Sequence, residues 1–107
     1  MTFHVRILRR AERDAQQIFE WIARRSPDGA VRWWNALAAA VAKLTLNPIG
    51  YGLAPEDEWT DHELRQFLFK TRRGRMYRGV FVIVADEIRV LRVRGPGQPP
   101  LESDELE

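Results

Sequence analysis

The chain has 107 residues, of which 45% are apolar and 10% aromatic, with four tryptophans; this fits one globular domain over residues 1–107 with a modest core, not a disordered segment. With no cysteine it has no disulfide, thiol nucleophile or thiolate metal site, and no apolar run approaches the roughly 20 residues that span a membrane. The net charge is only +2, but it is segregated: residues 64–94 hold nine Lys or Arg against Asp86 and Glu87, residues 56–63 hold five acids, and an acidic tail at 101–107 holds four more. So dense a basic stretch suits nucleic acid or an acidic protein; a solvated sheet face balanced by the acidic segments accounts for it equally well. The opening MTFHVRILRR places its basic residues after the apolar ones and lacks a long apolar stretch. It does not read as a signal peptide, so a cytoplasmic location is expected.

In chain order, residues 3–8 alternate apolar and polar and predict a first strand. Residues 11–25 predict a helix, with Ala11, Ala15, Ile18 and Ile22 recurring at three- and four-residue steps and Phe19 widening the stripe. Ser26-Pro27 then offers an N-cap and a first-turn proline for a second helix. That helix runs to about Leu46, with Val31, Trp34, Leu37 or Ala38, Val41 and Leu44 as its apolar stripe, and Asn47-Pro48 and Gly50 end it. So short a connection implies an antiparallel helical hairpin. A loop at residues 49–62 precedes three strands, at 63–70, 75–85 and 88–94. A turn at 71–74 and a tight Asp86-Glu87 turn separate them, and Pro99-Pro100 forbids further pairing. The expected fold is α+β: an N-terminal strand, an antiparallel helical hairpin and a three-stranded antiparallel meander. Ile18, Ile22, Trp34, Leu37, Val41, Val80, Val82, Leu91 and Val93 are its expected core.

An Asp86-Glu87 turn would pair Ala85 with Ile88, Ile83 with Val90, Phe81 with Arg92 and Gly79 with Arg94. One sheet face would then carry Tyr77, Gly79, Phe81 and Ile83 opposite Ile88, Val90, Arg92 and Arg94. The other would carry Val80, Val82, Val84, Leu91 and Val93, with Arg78 at its margin. Several guanidinium groups near a tyrosine can hold a scissile phosphate and stabilise its transition-state charge. A Tyr or Lys with a lowered pKa can move the proton, and no metal is needed. Arginine on an exposed strand also serves simply as a solvating residue. His4 and His62 lie far apart and suggest no metal site, and Glu56, Asp57, Glu58 and Asp61 lack the spacing of a calcium loop. There is no phosphate-binding loop, dinucleotide fingerprint or serine elbow, and no cofactor is expected. Trp33 and Trp34 are neighbours on a helix and point about 100° apart. Trp34 is expected inside and Trp33 partly exposed, as a candidate partner anchor.

Four segments together resemble the RelE/ParE toxin superfamily of type II toxin–antitoxin systems, more the ParE branch. FHVRILRRAERDAQQIFEWI resembles its opening strand and helix, and SPDGAVRWWNAL its second helix. NPIGYGLAPE resembles its loop, and GRMYRGVFVIVADEIRVLRVRG its C-terminal hairpin, with Tyr77-Arg78 at the family's Tyr-Arg. The likeness spans Phe3 to about Gly97. It implies a toxin neutralised by a cognate antitoxin whose C-terminal part wraps it. In the RelE-like branch, which cuts mRNA on the ribosome, Arg78, Arg94, Tyr77 and Lys70 would be the catalytic residues. The ParE-like branch inhibits DNA gyrase. The ending G-P-G-Q-P-P-L-E lacks the basic, His- or Tyr-containing close of the nucleases, which favours gyrase; a non-toxic binding module is the third alternative. Trp33, Arg92 and Arg75 are the expected antitoxin contacts. No metal or membrane partner is implied.

Overall fold

In a computed structural model that describes residues 2–59 and 62–106, the chain forms β1 (His4–Ile7), α1 (Arg9–Ala23), α2 (Pro27–Lys43), β2 (Arg65–Phe69), β3 (Tyr77–Val84) and β4 (Glu87–Arg94). Short 3-10 turns lie at Pro48–Gly50, Pro55–Trp59 and Ser103–Leu106. The four strands make one sheet in the order β1-β4-β3-β2. β2, β3 and β4 are antiparallel neighbours, whereas β1 pairs in parallel with β4, so the sheet is mixed. The first strand alone could not announce this pairing, because its partner lies more than 80 residues away in sequence.

Ser26 separates the helices as its chemistry requires. Its Oγ accepts the Gly29 N–H at 2.9 Å, and Pro27 occupies the first turn of α2, where its missing N–H costs nothing. On α1, Ala11 and Ala15 are buried, with Ile18, Phe19 and Ile22 packed beside them. On α2 the expected Leu37 and Leu44 are buried, but the first half of the stripe is displaced by one residue, with Ala30 and Trp33 inside in place of Val31 and Trp34. Both stripes satisfy helical spacing, and tertiary packing chooses between them. Trp33 lies against Phe69 at 5.7 Å and Tyr77 at 5.5 Å between ring centres, covering the aromatic end of the sheet. Trp34 turns outward, 41% exposed, and touches Phe19 edge-on at 5.7 Å. The assignment of Trp34 to the core and Trp33 to the surface is therefore reversed. Of the other expected core residues, Leu37, Val80, Val82 and Val93 are buried, while Ile18, Ile22, Val41 and Leu91 are half-buried at its margin.

The β3–β4 turn is one residue earlier than expected. Val84 pairs with Glu87, so Ala85 and Asp86 make the loop, and Ala85 adopts φ 57°. A positive φ at the first loop residue suits the right-handed twist of a hairpin, at some steric cost for alanine. Pairing then runs Ile83 with Ile88 and Phe81 with Val90, but Val80 meets Arg92. Leu91 is the extra residue of a β-bulge. Beyond it the alternation of β4 inverts: Val93 joins the helix-facing core with Phe81, Ile88 and Val90, and Arg92 and Arg94 pass to the opposite face.

That opposite face is also covered. Ala54, Leu64, Val80, Val82 and Leu101 form a second cluster, with Leu91 and Leu106 against it. Leu101, 1% exposed, plugs it, so part of the expected acidic tail is a strap across the sheet; Glu107 lies outside the described residues. On the helix side, Gly79 stands opposite Phe67, and any Cβ at position 79 would collide with the Phe67 ring. Gly79→Ala should lower stability by about 1–3 kcal/mol, read as an earlier urea midpoint; an unchanged midpoint would contradict this packing.

Candidate partner groove and arginine face

The two faces of the sheet offer two different surfaces. On the helix side, Ala11 and Ala15 of α1 and Trp34, Ala38 and Val41 of α2 wall a groove of about 450 Å³, and Val90 and Val93 of β4 floor it. Ile7 lies at its mouth with Glu12 and Gln16. The alanines keep the walls low, so the space between the helices is left for someone else's large side chains. Its chemistry is apolar contact with a polar margin, the usual composition of an interface centre and rim.

On the other face, three arginines lie side by side, each held differently. Arg78 Nη1 and Nη2 donate to the two carboxylate oxygens of Glu56 at 3.0 and 2.5 Å. Glu56 is fully buried and also accepts the Leu101 N–H at 2.8 Å. Burial alone would push this carboxyl up, but the Arg78 hydrogen bond, the Leu101 N–H and the Arg78 charge together hold it below the ordinary carboxylate value. Arg92 forks onto Asp14 of α1 at 2.7 and 3.0 Å and donates to the Glu105 carbonyl at 2.9 Å. Asp14 also accepts the Val93 N–H at 3.0 Å, satisfying the β4 edge past the end of β1. The Asp14 hydrogen bond raises the Arg92 pKa further. Arg94, cross-strand from Arg78, has no carboxylate among the described residues: Nη2 donates to the Pro99 carbonyl at 2.8 Å, and the buried Nε finds no partner among them. Burial, then the neighbouring Arg92 and Arg78 charges, lower its pKa.

The residues expected to act together on RNA are thus divided. Arg78 and Arg94 share one face; Tyr77 points to the other, against Trp33 and Phe69. Burial raises the Tyr77 pKa and the Arg75 charge opposes it only in part, so the lowered tyrosine pKa considered for proton transfer is not found. Lys70 is exposed just past β2, beside a shallow cleft with Lys43 and Tyr51. Of the expected antitoxin contacts, Trp33 is 2% exposed and Arg92 is buried in its ion pair, and neither has surface to offer; Arg75 is exposed. Sequence reading missed Glu56 and Asp14 as partners of these arginines. Asp14 carried a signal: it is an acid one residue from the buried Ala15 stripe. Among the described residues no three His, Asp or Glu side chains converge on a metal site, and Asp61 lies outside them.

The family profile described as ParE toxin of type II toxin-antitoxin system, parDE, matches residues 5–98, from β1 to the turn after β4. The chain belongs to the ParE toxin family. It is therefore a member of the RelE/ParE superfamily and the toxin half of a type II toxin–antitoxin pair, whose other half is a cognate antitoxin. The ParE match takes in both helices, the sheet, Glu56 and all three arginines, and it ends before the Leu101 plug. No curated protein sequence matches the chain. No helix among the described residues is long and apolar enough to cross a membrane.

Proposed function

We propose that this ParE-family toxin acts on DNA gyrase, does not cleave RNA, and is neutralised by an antitoxin segment seated in the groove between α1 and α2. The observation that carries the first part is the state of the arginines. Arg78 and Arg92 are engaged by Glu56 and Asp14, Arg94 is buried under the strap, and Tyr77 faces away from all three. Phosphoryl chemistry needs cations free to meet developing charge and a proton carrier beside them, and these four residues are not disposed to supply that. The open, apolar groove supports the second part. An amphipathic helix from the antitoxin would place its apolar side chains over Ala11, Ala15 and Ala38 and against Trp34, while exposed basic side chains such as Lys70, Arg72 and Arg73 draw in acidic residues of the same segment. Such a complex should survive high salt, because apolar anchors carry the affinity; its association rate should fall as salt rises.

Purified gyrase provides the test. The chain should block supercoiling of plasmid DNA, and its antitoxin should restore the reaction. In cells, induction should bring filamentation and DNA damage before translation stops, with transcripts intact by primer extension. Cut transcripts and early translation arrest would favour the nuclease reading, and then Arg78→Ala or Arg94→Ala should abolish cleavage. Absence of any growth effect would leave a non-toxic binding module.

A further inference from the structure

A second concavity, of about 710 Å³, opens between α1 and the outer ends of β3 and β4. Trp21 comes from the last turn of α1 and Arg25 from just beyond it, Arg75 and Tyr77 from the approach to β3 and its first residue, and Pro96 and Gln98 from the turn beyond β4. The volume lies within the roughly 300–1,000 Å³ typical of small-molecule sites. Its rim is firm. The Gln98 N–H donates to the Gly95 carbonyl at 3.3 Å, and Gly97 at φ 82° supplies the left-handed corner after Pro96. The Arg25 guanidinium sits 4.6 Å over one side of the Trp21 ring, while Trp21 remains 51% exposed. Neither Arg25 nor Arg75 takes part in an ion pair among the described residues, in contrast to Arg78 and Arg92. The Tyr77 ring is fixed by Trp33 and Phe69.

Two uncompensated guanidinium groups beside an exposed indole and a phenol make a site for a ligand that is both anionic and flat. We infer that this cleft binds a nucleotide, its base stacked on Trp21 and its phosphate held by Arg25 and Arg75. A guanidinium already stacked on the indole strengthens the platform, and base–aromatic stacking accepts any base. Planar guanidinium groups suit phosphate oxygens. An acidic peptide would satisfy the arginines but leave the indole face uncovered. The site is distinct from the apolar groove and from the arginine face, and the inference does not depend on gyrase inhibition.

The test is an NMR titration of the full chain with AMP, GMP, CMP and UMP, following the four indole N–H signals and the arginine Nε–H signals. Nucleotides should shift the Trp21 and Arg25 signals saturably, with uridine and inorganic phosphate each binding more weakly than UMP. Trp21→Ala and Arg75→Ala should each weaken binding about tenfold, and Arg24→Ala, outside the cleft, should leave it unchanged. Three results would overturn the inference: no shift with any nucleotide at about 10 mM, inorganic phosphate as effective as UMP, or an Asp/Glu-rich peptide displacing the nucleotide at equal concentration.

Discussion

Glu56→Ala is expected to be the most destabilising single change at the arginine face, costing about 3–5 kcal/mol. The carboxylate is fully buried and, among the described residues, is the only acid paired with Arg78, which lies cross-strand from Arg94. Removing it leaves two adjacent guanidinium charges in a poorly solvated layer and orphans the Leu101 N–H that pins the strap. Glu56→Gln keeps one acceptor oxygen, enough for Arg78 Nη2 and the Leu101 N–H, but turns an NH2 toward Arg78 Nη1; it should lose less than the Ala variant but more than nothing. The same pair gives a pH dependence. The folded Glu56 carboxyl titrates below its ordinary 4.5, so the stability it contributes is complete above about pH 4.5 and is lost as pH falls through the folded value. Urea unfolding of the wild type should therefore show an acid limb that is flattened in Glu56→Gln. An Ala variant as stable as the wild type, or an identical acid limb in Glu56→Gln, would show that the pair contributes nothing net.

The second large effect separates the adjacent tryptophans. Trp33→Ala should cost about 3–5 kcal/mol, because a 2% exposed indole is removed from between Phe69 and Tyr77. Trp33→Phe should cost less, since it keeps a ring and removes a buried N–H that has no hydrogen-bond partner among the described residues. Trp34→Ala should cost under about 1 kcal/mol in stability, its ring being 41% exposed. Its expected effect is on the complex: a hot-spot aromatic at the groove wall is worth about 2 kcal/mol or more, roughly thirtyfold in the antitoxin Kd. Calorimetric titration of the two variants with the antitoxin decides the matter. Affinity unchanged in Trp34→Ala would remove the groove from the interface without touching the family assignment.

Periodicity made most of the elements legible. The alternation of residues 3–8, the Ala11–Ala15–Ile18–Ile22 spacing, Ser26-Pro27 and the apolar run at 80–84 each report a local preference that the tertiary structure keeps. What stayed hidden depends on distant partners. The orientation of α2 turned on whether Trp33 or Trp34 met the aromatic sheet end, and two stripes of equal spacing competed. The bulge at Leu91 falls where the adjacent Val90-Leu91 breaks the alternation of I-R-V-L-R-V-R, but a strand covered on both faces accounts for such a pair equally well, so only the fit of β4 to β3 decides it. That single extra residue decided the candidate site: with uninterrupted alternation Arg92 and Arg94 would flank Tyr77, and with the bulge they join Arg78. Leu101 was unreadable for a different reason, since a lone leucine between Pro100 and a run of acids carries no periodicity.

The parallel seam between β1 and β4 sets a timetable for the molecule. Val5 pairs with Ile88 and Ile7 with Val90, so the first strand closes a loop over most of the chain, and loop-closure entropy makes such contacts late and slow. The helical hairpin needs only residues near one another and can form early. Between those moments the nascent protein has two helices but no floor beneath them, because Val90 and Val93 have not arrived and Ile7 has nothing to pair with. The groove is thus complete only once β4 lies beneath the helices and β1 has joined its edge. A ligand that reads both its helical walls and its strand floor distinguishes the finished protein from every earlier form of the same chain.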